Sequence, residues 1–315
     1  MTGILEVDLA RFDTGGAAER RAVVDGVRRS LETGFVFLSS AIDPSLIDRA
    51  YALLGDFFRK PVEEKDRLAV PGSKGQVGYT GTLVETAAQS DHADWKEMLN
   101  WGRTPAPGHP LRERYPHRYM DALLPEETVP GIHDALLDLH DKMQECQRLF
   151  LRIVALGLGC AEGYFDTLLE NGPTLTRAIR YPPMAAAPAD GHVWAEEHLD
   201  INLTTLLPRA TARGLQMRGP NGWEDVAPPE GAAILNTGMM LERITNGRIS
   251  AGVHRVVGEP GSSAERMSVV QFCHPTPWSV LAPLPTCIDA EHPIRWPPIT
   301  AADWLDQVLH EIGMA

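Results

Sequence analysis

Six short apolar runs follow one another between residues 176 and 272, and they constrain the fold more than any other feature of the chain. They cover 176–181, 203–207, 215–218, 232–236, 252–257 and 267–272, with turns rich in Gly, Pro and Asn between them. Short strands in this kind of succession predict a closed barrel or a two-sheet jelly roll. The first half has a different texture. Residues 17–32 place Val23, Val24, Val27 and Leu31 on one helical face with charges opposite. Residues 35–38 read as a buried strand, and 44–59 as a second amphipathic helix with Pro44 in its first turn. A short charged helix is expected over 62–68 and a loop over 71–90. The longest helix is expected over 126–156, turning Ile132, Leu136, Leu139, Met143 and Leu149 inward. A closing helix is expected over 300–312. The expectation is an α+β chain forming one unit over 1–315. It would have a helix-rich front (1–172), a β core (173–300) and a C-terminal helix (301–315).

Composition narrows the function. The chain has 315 residues, 43% hydrophobic and 23% charged, as a globular protein does. Its net charge of -13 argues against a nucleic-acid binder, which needs a basic face to neutralise phosphates. A local basic pocket for a small carboxylate is compatible with that total. The cysteines Cys146, Cys160, Cys273 and Cys287 are too widely spaced for a zinc ribbon and are expected to be reduced, mostly buried thiols. No signal peptide and no membrane span are expected, so the reading is a cytoplasmic protein acting on a small molecule.

Chemistry concentrates in the stretch around His198-Leu199-Asp200. On a strand, side chains two apart share a face, so this His and Asp can converge on one point. His254 follows much later in the chain. Two imidazoles and one carboxylate on one side of a metal leave the other positions open, and this donor set suits iron(II) that must admit co-substrate and O2. His192 is close in sequence and is read as a flanking group rather than a ligand. Past His254 comes Arg266-Met267-Ser268, where a guanidinium and a hydroxyl again share a strand face. Arginine grips carboxylates in a two-pronged fashion, and a serine hydroxyl adds a further donor. His-x-Asp, a lone His or a lone Arg would each be common by chance; together they point to a metal with a carboxylate-bearing co-substrate beside it.

The stretch from 180 to 275 resembles the iron(II)/2-oxoglutarate-dependent oxygenase superfamily, in its isopenicillin N synthase-like branch. The strings that carry the resemblance are IRYPP (179–183), HLDINLTTLL (198–207), GLQMRGPNGWEDV (214–226), NTGMMLERITNGRISAGVHRVV (236–257) and RMSVVQFCHP (266–275). In the front half GFVFLSS (34–40), FFRKPVEEKDRL (57–68) and DWKEMLNWG (94–102) resemble the same branch. The resemblance implies a distorted double-stranded β-helix braced by helices, with iron(II) on His198, Asp200 and His254. It implies 2-oxoglutarate held by Arg266 and Ser268 with help from Tyr181, and O2 as oxidant. Met239 stands where relatives commonly carry Asp, which implies altered packing rather than a lost ligand. Ile179 stands where many plant relatives carry Asn.

The implied reaction couples oxidative decarboxylation of 2-oxoglutarate to oxidation of a C–H bond, giving hydroxylation, desaturation or cyclisation. The alternatives are an oxidase of the same fold that needs no 2-oxoglutarate, a zinc hydrolase on the same donors, and a catalytically silent binding protein. Pocket walls are expected from the loop around 75–87 and the C-terminal segment. Tyr79, Lys96, Arg180 and Asn202 are candidate contacts to an amino-acid-derived or natural-product substrate.

Overall fold

The computed structural model describes residues 3–73, 75–84, 93–188 and 192–311. The strands of its two larger sheets are β1 (Glu6–Asp8), β2 (Phe35–Ser39), β3 (Gly78–Thr80), β4 (Glu97–Gly102), β5 (Leu175–Tyr181) and β6 (Ala195–His198). They continue as β7 (Thr204–Leu207), β8 (Leu215–Gly219), β9 (Gly222–Asp225), β10 (Ala233–Thr237), β11 (His254–Val256) and β12 (Arg266–Cys273). An eight-stranded sheet runs β1-β2-β10-β7-β12-β5-β4-β3, and a four-stranded sheet, β6-β11-β8-β9, faces it. This is the double-stranded β-helix. Its large sheet draws β1 to β4 from the helix-rich front half, so the two halves of the chain share one sheet.

Alternation along the strands builds two cores. On β12, Val270 and Phe272 join Ile179, Tyr181, Phe35, Phe37 and Ile234 between the sheets, where Trp194, Leu215, Met217 and Val256 meet them from the smaller sheet. Val269 and Cys273 of β12 point the other way, into a cluster with Leu99, Trp101, Leu206 and Leu235. The helix Ile132–Gly157 closes that outer cluster with Leu136, Leu139, Met143 and Phe150, all fully buried. Trp101 fixes the packing by donating its indole N–H to the Leu136 carbonyl at 3.0 Å.

Several elements differ from expectation for local reasons. The long helix starts at Ile132, not at 126, because Gly131 takes a left-handed φ of 84° and ends the preceding turn. The Glu126 carboxylate accepts from the N–H groups of Gly131 and His133, capping the helix from outside. Leu149 lies on the half-buried flank, and its neighbour Phe150 takes the core position. The segment 71–90 contains β3; residues 74 and 85–90 of it lie outside the described residues, as does Ile312 of the closing helix, which is Ala301–Glu311. β4 and the helix Met239–Ile244 had no periodic signal in the sequence. Both are made by tertiary contacts: β4 by pairing with β3 and β5, and the helix by its seat on the 200–202 turn. The four cysteines are free thiols, and burial pushes Cys146 up to about 11 and Cys273 up to about 12. Among the described residues no helix is long and apolar enough to cross a membrane.

Candidate active site

His198 ends β6 and His254 begins β11, and the two stand directly opposite each other in the antiparallel register. Their ring centroids lie 4.3 Å apart. Asp200 lies past the end of β6, so strand alternation does not place it. A turn does. The Asp200 carbonyl accepts from Met239 N at 2.8 Å, and the Asn202 and Ile201 carbonyls accept from Met240 N at 3.1 and 3.2 Å. Gly238 permits this seat, because a Cβ there would stand 2.2 Å from the Asn202 oxygen. Met239 therefore contributes its backbone N–H to the Asp200 turn.

One donor atom from each of His198, Asp200 and His254 lies within 4.8 Å of the others. His198 Nδ1 sits 2.6 Å from the Glu196 carbonyl and His254 Nδ1 sits 2.9 Å from the Gly252 carbonyl. A carbonyl only accepts, so each Nδ1 carries a proton, and each Nε2 is the nitrogen turned toward Asp200, at 4.0 and 3.9 Å from its carboxylate. Burial, then the proximity of His254, lowers His198 to about 4. The 40% of its side-chain surface left open blunts the burial effect without reversing it, so the imidazole is neutral. Burial works to raise Asp200, but the two imidazoles and the hydrogen bonds from Thr205 and Asn236 outweigh it and hold the carboxyl below its ordinary value. Two imidazole nitrogens and one carboxylate on one side of a centre fit a divalent transition metal.

Arg266, Ser268 and Tyr181 lie on the same inter-sheet face. Arg266 is 1% exposed, opposite Tyr181 in register, with its guanidinium 5.0 Å from the Tyr181 ring centre. Its Nε donates to the Ala212 carbonyl at 3.2 Å and its Nη1 to Ser268 Oγ at 3.0 Å. No carboxylate of the described residues pairs with this buried cation. An unanswered buried guanidinium is costly unless a ligand anion completes it. Tyr51 braces the strand: its hydroxyl accepts from Val269 N at 2.9 Å and donates to the Arg209 carbonyl, and burial pushes it up to about 12.

The candidate substrate residues separate. Lys96 lies close enough to His198 to depress its protonation, and its ammonium pairs with Asp94 at 2.7 Å. Asp94 in turn accepts from Glu196 N at 3.4 Å, tying this pair to the strand that ends in His198. His192, read as a flanking group, reaches the Ala93 carbonyl at 2.9 Å and helps join these two segments. Tyr79 and Arg180 face the other side of the large sheet. There Tyr79 donates to Glu97 Oε2 at 2.5 Å, and Arg180 bridges Glu97 and Glu265 at 2.7 Å each. Register explains this: Arg180 pairs with Met267, not with Arg266. Asn202 is 1% exposed and turns toward Thr204 and Thr205. Sequence reasoning missed Thr205, Asn236 and Phe35, whose ring meets His254 edge-on at 6.2 Å. Their alternation on β7, β10 and β2 carried the signal, but only the pairing of those strands brings them to one place.

Residues 173–275 match the 2OG-Fe(II) oxygenase superfamily, and residues 6–127 match the non-haem dioxygenase in morphine synthesis N-terminal family. A 2OG-Fe(II) oxygenase family protein from Caulobacter crescentus is 33% identical, with a TM-score of 0.86 over 99% of this chain and all of that one. A full-length Neurospora crassa protein, solved in complex with alpha-KG and thymine, is 25% identical with a TM-score of 0.84, covering 98% of this chain and 96% of its own. The 2-oxoglutarate-Fe(II) type oxidoreductase hxnY of Emericella nidulans is 29% identical, covering 93% of this chain and 85% of its own. With a relative this similar along its whole length and the donor set in place between the sheets, the chain belongs to the 2OG-Fe(II) oxygenase superfamily.

Proposed function

We propose that His198, Asp200 and His254 hold the iron(II), and that Arg266 and Ser268, backed by Tyr181, receive the distal carboxylate of 2-oxoglutarate. The observation that carries this reading is the buried Arg266 guanidinium, which has no carboxylate partner among the described residues and lies on the inter-sheet face with the triad. Bound iron(II) with 2-oxoglutarate and O2 supplies the oxidising chemistry, in which the co-substrate becomes succinate and CO2 as a substrate C–H bond is oxidised.

The protein's own part is geometric. The two Nδ1–H···O=C bonds hold the imidazoles with Nε2 forward. Arg266 sets the depth of the co-substrate, and the apolar residues between the sheets keep bulk water from the reacting face. Lys96, near His198 with its ammonium on Asp94, is our choice for the substrate contact, and the substrate is a small molecule. The isopenicillin N synthase-like branch is the subgroup we favour, on the motif strings of both halves.

Arg266→Ala tests the assignment. The KM for 2-oxoglutarate should rise at least about tenfold, as expected for losing a charge-assisted bidentate contact, while iron(II) affinity stays within about threefold. Unchanged co-substrate affinity would refute the role. Substrate-dependent O2 uptake without succinate would instead indicate an oxidase that uses no 2-oxoglutarate.

A further inference from the structure

Asp200 is approached by two donors, and both reach the same oxygen. Thr205 Oγ1 donates to Oδ2 at 2.6 Å and Asn236 Nδ2 donates to Oδ2 at 2.8 Å. Among the described residues none donates to Oδ1. The surroundings of Thr205 favour one direction for its hydroxyl. Asn202 Nδ2 lies 3.1 Å from Thr205 Oγ1 and can only donate, and of the two acceptors left to the Thr205 hydroxyl, Asp200 Oδ2 at 2.6 Å is much nearer than Asn202 Oδ1 at 3.4 Å, so the proton goes to Asp200. Asn202 is oriented in turn, because the same Nδ2 donates to the Thr204 carbonyl at 2.7 Å. Asp200, Asn202, Thr205 and Asn236 are 6%, 1%, 4% and 7% exposed, so water does not compete for these bonds. They come from three places: the turn after β6, then β7 and β10, whose Thr205 and Asn236 are paired in register.

We infer that Asn202, Thr205 and Asn236 form a relay that holds Asp200 in a one-oxygen binding mode. Oδ2, 3.9 Å from His254 Nε2, is committed to Thr205 and Asn236, and Oδ1, 4.0 Å from His198 Nε2 and without a donor among the described residues, is kept for the metal. The inference rests on the metal-centre reading above. A carboxylate free to rotate could chelate through both oxygens and fill a position that co-substrate or O2 requires. A carboxylate with two donors on one oxygen has a single orientation. These are positioning residues: they touch neither co-substrate nor substrate, and act through Asp200. Asn202 thereby leaves the set of candidate substrate contacts.

The test loads the purified full chain with Co(II), whose visible spectrum reports coordination number and geometry. It compares wild type, Thr205→Val, Thr205→Ser and Asn236→Ser by titration and spectrum. Thr205→Val removes the donor at nearly constant volume. It should weaken Co(II) and Fe(II) binding about 10–100-fold, the usual effect of losing a partner that orients a ligand, and should change the Co(II) spectrum. Thr205→Ser restores the hydroxyl and should return both to within about threefold of wild type. If Thr205→Val does not fold, Asn236→Ser carries the same comparison. A wild-type spectrum and affinity in Thr205→Val overturn the relay, and so does a loss that Thr205→Ser fails to rescue, which would mark a packing defect. Failure of wild type to bind either metal would sink the metal centre itself, a result distinguished by its presence before any substitution.

Discussion

The large sheet buries ionised groups on both faces and treats them in opposite ways. On the outer face, Glu97 is 3% exposed at its side chain and accepts from Lys65 at 2.6 Å, Tyr79 at 2.5 Å and Arg180 at 2.7 Å. Every charge of that cluster is answered within the protein. On the inner face, Asp200 is held by the neutral donors of Thr205 and Asn236 beside two imidazoles, and Arg266 has a hydroxyl and a carbonyl for partners but no anion among the described residues. Burial costs both sets alike. The outer cluster recovers that cost by mutual pairing, which locks β3, β4 and β5 to the helical front. The inner set leaves its charges incomplete, and incomplete buried charge is what a metal and a dicarboxylate can complete. Paired burial marks structure, and unpaired burial with convergent geometry marks function.

That contrast can be broken by experiment. The largest effect belongs to Asp200→Asn, which should lower turnover more than about a thousandfold, beyond the 10–100-fold typical of outer partners. The stability of the metal-free protein should change by only about 1 kcal/mol or less, because Thr205 and Asn236 still find an amide oxygen. A large loss of metal-free stability would make Asp200 a structural group. Glu97→Ala reverses the pattern. It strands Lys65 in the interior with the Phe58 carbonyl as its remaining acceptor, at 3.3 Å, and should cost about 3–5 kcal/mol in urea unfolding. Iron(II) affinity of the folded fraction should be unaffected, and a matching loss of affinity would dissolve the distinction between the faces.

The smallest effect is a pH dependence on the outer face. His140 is fully buried beneath β5 and β12, with Nδ1 2.7 Å from Thr176 Oγ1. Burial lowers it to about 4 from an ordinary 6.5. Between those values the unfolded chain binds the proton and the folded chain refuses it. The contribution is therefore complete above pH 6.5 and is lost as pH falls toward 4, by up to about 3 kcal/mol. The unfolding free energy of wild type relative to His140→Leu should decline over that window. A difference independent of pH would show that His140 already carries its proton in the fold.

Legibility differed with the range of the interaction. Alternation on 266–268 was readable because the pair lies inside one strand, and the structure puts Arg266 and Ser268 on one face with Tyr181 across from them. His198 and His254 share a site because their strands pair directly, a relation that family resemblance anticipated and periodicity could not. For Arg180 and Tyr79 the polarity was visible in the sequence and the sheet face was not. One step of register separates Arg180 from Tyr181, and it decides between the outer cluster and the site.

The sequence by itself determined which residues could carry the chemistry and which helical stripes are apolar. These follow from residue identity and from periods of two and 3.6, which are local properties. Only the tertiary structure decided that Asp200 sits in a turn rather than on its strand, that Thr205 and Asn236 share one of its oxygens, and that Glu97 is sealed while Arg266 is left open. Those outcomes depend on register and on backbone contacts between segments distant in the chain. No local pattern records them, because they are set when the sheets close on one another.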